Sequence, residues 1–143
     1  MRKILSVVLV AVIAATASAV PAFAQDFKVI VNSANSTSDL PAAVAAKIFL
    51  KETTKFPNGS AATPVDQGKA SPVRAAFSKS VIGRPVSAVE SYWQQQIFSG
   101  KEVPPAAKSS DDDVVAFVKG NPGAIGYVSA GASTAGVKVI DVK

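Results

Sequence analysis

The chain contains no cysteine and no histidine, and these two absences exclude most of the familiar site chemistry. Without histidine, the commonest general base and metal ligand is missing. Without cysteine there is no thiol nucleophile, no disulfide framework and no cysteine-linked lipid anchor. Zinc sites and catalytic triads built on those residues are therefore excluded. A carboxylate mechanism needs acids that converge in one pocket, and the 10 acidic residues are scattered. The exception, Asp111-Asp112-Asp113, places three consecutive residues around a helix axis without the spacing of a calcium loop. That run suits the positive end of a helix dipole instead. Asp66 and Glu52 read as ordinary surface or loop carboxylates, and no serine has a visible activating partner. The sequence points away from an enzyme, with no cofactor and no metal.

Long apolar runs are also lacking, with one exception at the N-terminus. Arg2 and Lys3 precede the uncharged stretch 4–19, and Ala22-Phe23-Ala24 precedes the polar Gln25-Asp26. This is the order of a secretory signal peptide: charged start, apolar middle, small-residue cleavage site. The strongly apolar part, residues 4–15, is short against the roughly 20 residues a membrane-spanning helix requires. Cleavage after Ala24 is expected, which leaves residues 25–143 as one exported domain, periplasmic or secreted. Removing Arg2 and Lys3 lowers the 15 cations to 13 against 10 anions, a net charge of +3. The cations are dispersed, which suits attraction of a small anion and not a nucleic-acid track.

Within residues 25–143, Phe27, Val29 and Val31 alternate as a first strand. The polar segment 32–38 leads to a helix carrying Leu40, Val44, Ile48 and Phe49, with Ser36, Thr37 or Ser38 as N-cap and Pro41 in its first turn. Residues 62–66 read as a second strand. Ser71-Pro72 then opens a helix with the apolar stripe Val73, Ala76, Phe77 and Val81. Ser87 and Glu90 have capping-box spacing before a helix in which Val89, Trp93 and Ile97 share a face. Pro104-Pro105 marks a loop. Ser110 and Asp113 repeat the capping signal before Val114, Val115, Phe117 and Val118, and residues 124–128 and 137–142 complete the chain as strands. The order is β-α-β-α-α-α-β-loop-β. Strands alternating with helices favour an α/β fold, a single lobe with a mainly parallel sheet flanked by helices.

Two loops are candidates for ligand binding. Ser71 either caps its helix or presents its hydroxyl beside the uncommitted amides of Val73 and Arg74, with the Arg74 guanidinium available to close over an oxyanion. Asn35, Ser36 and Thr37 lie where the first strand meets its helix, either as a solvated capping loop or as hydrogen-bonding groups at the ligand edge of an open sheet. If both strands are parallel, the two loops share one rim. Trp93 and Tyr92 read as core residues, and Gly123 and Gly126 as backbone requirements.

Phe56-Pro57-Asn58-Gly59, Pro64-Val65-Asp66-Gln67, Ser71-Pro72-Val73-Arg74 with Phe77, Tyr92-Trp93, Ile97-Phe98-Ser99-Gly100 and Pro122-Gly123-Ala124-Ile125-Gly126-Tyr127 occur in an order that resembles the phosphate-type substrate-binding proteins of ABC transporters. The resemblance spans residues 27 to about 142. It implies the type II periplasmic binding protein fold, whose two lobes clamp a tetrahedral oxyanion. It also implies phosphate or a related oxyanion as ligand, and an ABC permease or a second lobe-like subunit as partner. The family's serine-glycine-threonine anion loop falls on Ser71, Pro72 and Val73, so the serine is kept while the glycine and second hydroxyl are not. Arg74 matches the arginine that often follows that loop. The length corresponds to one lobe, so a closed clamp is not expected within the monomer. The alternative function is a cell-envelope interaction module that retains the fold without the ligand.

Overall fold

The computed structural model describes residues 27–143; the expected signal peptide, its cleavage site and residues 25 and 26 lie outside them. Six strands form one sheet: β1 (Phe27–Asn32), β2 (Asp39–Leu40), β3 (Thr63–Gln67), β4 (Ala106–Lys108), β5 (Ala124–Ser129) and β6 (Val137–Val142), in the spatial order β2-β6-β1-β5-β3-β4. Four α-helices, α1 (Ala42–Phe49), α2 (Pro72–Phe77), α3 (Val86–Phe98) and α4 (Asp111–Gly120), surround it. A π-helical turn, Ser78–Ile82, continues α2.

The sheet is mixed, with parallel strands in the majority. β2 is parallel to β6, and β3 is parallel to both β4 and β5. β1 alone runs against the others, antiparallel to both of its neighbours, β5 and β6. In register, Val31 faces Ile125 while Thr63 faces Ala124, so the end of β1 lies beside the starts of β5 and β3.

The alternation along β1 and β5 produces two apolar faces. Phe27, Val29, Val31, Ile125 and Tyr127 pack with Ile48, Phe49, Val73 and Phe77 under α1, α2 and the π turn. Ile30, Val65, Ala124 and Val128 pack with Val114 and Val118 under α4. Gly126 lets α4 approach: a Cβ there would lie 2.7 Å from Val65 Cγ1 and 2.8 Å from Val114 Cγ1. Leu50, Val89 and Trp93 make a smaller cluster that fastens α3 to the lobe.

Several local expectations change. Leu40 belongs to β2, not to the first helix, and α1 begins after Pro41 without a side-chain cap, so Ser36, Thr37 and Ser38 do not cap it. Ser110 does cap α4, accepting from the Asp113 amide at 3.2 Å. The Ser87–Glu90 capping box is not formed, because α3 starts at Val86 behind Pro85 and Glu90 turns to Arg74. Ile97 is 54% exposed and leaves the buried face to Val89 and Trp93. Beyond the Pro104-Pro105 loop, residues 106–108 add an edge strand.

Candidate functional site

The end of β3 places Asp66 and Gln67 beside the start of α2. Both are buried, although the sequence alone suggested that Asp66 was a surface or loop acid. Strand alternation turns Tyr127 of β5 toward them, and its hydroxyl donates to Asp66 Oδ1. The Gln67 amide also donates to Asp66 Oδ1, at 2.9 Å. Gln67 Nε2 donates to the Tyr127 carbonyl at 3.0 Å and to Asp111 Oδ1 at 2.9 Å. Asp111 thus joins the network from the first turn of α4 and also accepts from the Ser129 amide at 3.1 Å.

Ser71 occupies the N-cap position of α2, but its hydroxyl makes no cap bond and donates to Gln67 Oε1 at 3.1 Å. The amides of Val73 and Arg74 have no carbonyl partner among the described residues, as the first turn of a helix dictates. Arg74 is buried, and its guanidinium does not stand open over these amides. Nη1 donates to the Gln67 carbonyl at 3.1 Å, Nη2 to Glu90 Oε1 at 2.7 Å, and Nε lies 3.6 Å from Asp66 Oδ1. The guanidinium expected to be available to an oxyanion is thus engaged within the protein, where two carboxylates outweigh its one charge.

The cleft beside this network has a volume of about 180 Å³ and is lined by Asp66, Arg74, Glu90, Trp93, Ile97 and Pro105, among others. Ser71 is not among its lining residues. Burial pushes the Asp66 carboxyl above the ordinary value of 3.8, with the Tyr127 hydrogen bond, the Arg74 charge and the Gln67 amide opposing it. Burial, together with the neighbouring Asp66, likewise raises the Tyr127 phenol. For Asp111, desolvation also acts upward, but the hydrogen bonds from Gln67 and Ser129 outweigh it and hold the group below 3.8.

Asn35, Ser36 and Thr37 do not join Ser71, Val73 and Arg74. The antiparallel course of β1 carries them to the opposite edge of the sheet, beside the starts of β3 and β5. About one strand length, roughly 15 Å, separates the two edges. The shared rim required β1 and β3 to be parallel, and they are not. Near the second edge Asn58, read from sequence only as a turn residue, bridges the loops by donating to Ser36 Oγ at 2.9 Å and to Thr37 Oγ1 at 3.3 Å. From sequence Tyr127 either reaches the cleft or simply packs, and the structure turns its hydroxyl to Asp66; the pairing of Glu90 with Arg74 was missed. The alternation Ile125, Tyr127 on the buried side of β5 was the available signal for the former; nothing local marks the latter.

Among the described residues, no group of acids forms a metal cluster and no helix is long and apolar enough to cross a membrane. No family model matches the chain, and no curated protein sequence matches it. Solved structures do. An ABC-type phosphate transport receptor from Vibrio cholerae superposes with a TM-score of 0.63 at 19% identity, covering 82% of this chain and 46% of that one. A putative phosphate ABC transporter substrate-binding protein with bound phosphate, from Clostridium perfringens, gives 0.61 at 20% identity, covering 82% and 44%. PstS from Borrelia burgdorferi gives 0.63 at 12% identity, covering 82% and 47%. The chain spans under half the length of each of these proteins. Over that span it has the α/β fold of the phosphate-type substrate-binding proteins of ABC transporters, in the form of a single lobe.

Proposed function

We propose that the chain is an exported, non-enzymatic solute-binding protein for phosphate or a related oxyanion, serving ABC-type uptake from the periplasm or cell exterior with a permease as partner. The observation that carries this reading is the fold it shares with phosphate receptors, together with the start of α2 in this chain, where Ser71 stands beside the Val73 and Arg74 amides that have no carbonyl partner among the described residues. Amide donors and a serine hydroxyl recognise an oxyanion without needing a free cation. With Arg74 balanced by Asp66 and Glu90, most of the attraction falls to the Val73 and Arg74 amides and Ser71. One lobe leaves such a ligand open to water on its far side, so a second lobe-like subunit is the natural partner for tight binding.

Titration calorimetry of the purified chain with phosphate, sulfate and molybdate tests this. Heat of binding that Ser71→Ala reduces supports it. An absence of both heat and thermal stabilisation at millimolar ligand overturns it.

The paired state of Arg74 favours a second reading, an envelope interaction module that keeps the fold without the ligand. A defined partner complex that Ser71→Ala leaves unchanged, in a chain that gives no heat with any of the three anions, distinguishes it.

A further inference from the structure

The loop that the antiparallel β1 separates from Ser71 forms a notch of its own. It has a volume of about 310 Å³, lined by Asn35, Ser36, Asn58, Ser60, Pro122 and Gly123 together with two alanines, and no charged side chain lines it. Asn35 is only 7% exposed. Its Oδ1 accepts from the Thr37 amide at 2.9 Å, and that bond fixes which way the carboxamide faces. Asn35 Nδ2 is consequently left as a buried donor with no acceptor among the described residues. A buried amide donor without a partner is uncommon and marks a place where an acceptor is missing.

The surrounding groups are ordered to receive one. Asn58 holds Ser36 and Thr37 through Nδ2, while its Oδ1 accepts from the Ser60 amide at 2.9 Å and the Ser60 hydroxyl at 2.6 Å. Ser36 Oγ accepts from Asn58 and keeps its own proton to donate. The polar half of the lining is thus made of carboxamides and hydroxyls, which both donate and accept, and the rest is alanine, proline and glycine. An ionised ligand would find no counter-charge in the lining; a ligand hydroxyl matches it in both directions.

We propose that this notch is a second binding site, for a small neutral polyhydroxyl molecule of the sugar or polyol class, with a ligand oxygen accepting from Asn35 Nδ2. It is independent of the oxyanion reading, which concerns the other edge of the sheet.

The test is two-dimensional nitrogen–proton NMR of the isotopically labelled chain, titrated separately with glucose, glycerol and inorganic phosphate. Glucose or glycerol should shift the side-chain amides of Asn35 and Asn58 and the backbone amide of Gly123 saturably, leaving the amides of Val73 and Arg74 unmoved. Asn35→Asp keeps the acceptor for Thr37 and removes the donor, and should raise the dissociation constant about tenfold. Ala34→Leu, made at an exposed lining position, should fill the notch and abolish the shifts while the thermal melt stays in place. The absence of saturable shifts with both neutral probes overturns the proposal, as do shifts that persist unchanged in Asn35→Asp; the notch is then a water site only.

Discussion

Asp66 is the residue on which the network at the end of β3 turns, and its environment contains opposing terms. Burial disfavours the charge, while the Tyr127 hydroxyl, Arg74 and the Gln67 amide favour it. Tyr127→Phe removes the hydroxyl and nothing else of size, so the carboxylate loses a donor it cannot replace from water. The expected loss of stability is about 1–3 kcal/mol, read from urea unfolding. The pH dependence has a definite sign. Because folding raises the Asp66 carboxyl above 3.8, the folded state holds the proton more tightly, and stability from this group falls as pH rises through that value toward the raised one. Asp111 acts oppositely: held below 3.8, it contributes stability at higher pH that is lost as pH drops through the lowered value. Asp66→Asn should therefore flatten the decline above 3.8 and leave the acid limb set by Asp111 in place. Urea midpoints measured across this range check it, and a wild-type slope in the variant would contradict the burial argument.

At the scale of elements, α4 fits closely against the sheet at Gly126. Gly126→Ala would place a methyl within 2.8 Å of both Val65 and Val114, and overpacking of this kind costs about 1–3 kcal/mol. A thermal melt at or above the wild-type value would show that α4 shifts freely. The two serine caps make a paired test. Ser110→Ala breaks the bond to the Asp113 amide and should cost about 1 kcal/mol, whereas Ser87→Ala removes no cap, since α3 starts behind Pro85, and should stay within about 0.5 kcal/mol of wild type. Both serines have the same spacing to an acid, which shows what sequence can and cannot convey. The four main strands and four helices were legible because their apolar periods repeat over several residues. β2 and β4, of two and three residues, carry no period at all. The direction of β1 was hidden for another reason: its partners β5 and β6 lie about a hundred residues away, and strand–helix alternation does not encode how such distant strands pair. That hidden direction is why Asn35, Ser36 and Thr37 part from Ser71, and why the two candidate loops do not meet on one rim.

On the scale of the whole molecule, charge sets what the proposed ligand rim can attract. The chain corresponds to under half of the solved phosphate receptors it resembles, and the cleft beside Asp66 and Arg74 brings two carboxylates to one guanidinium. Ile97 lines that cleft, and Phe98 beside it in sequence is 96% exposed; Phe98→Ser is expected to change stability by no more than about 0.5 kcal/mol, because the ring buries almost nothing in the lobe. The carboxylates differ in accessibility. Asp66 is buried within the network, whereas the Glu90 side chain is 40% exposed and meets Arg74 from α3 at 2.7 Å. Glu90→Gln therefore removes one negative charge without opening the core and leaves Arg74 paired with Asp66 alone, so that the group goes from a net negative charge to neutral and repels an anion less. If residues 71–74 receive an oxyanion, as proposed, this variant should bind phosphate about three- to tenfold more tightly than wild type in low salt, with the gain shrinking as salt screens it. Calorimetry of both proteins at two ionic strengths measures the difference directly. Equal or weaker affinity in the variant would mean that the charge of Arg74 serves the Asp66–Glu90 network alone and contributes nothing to the ligand rim.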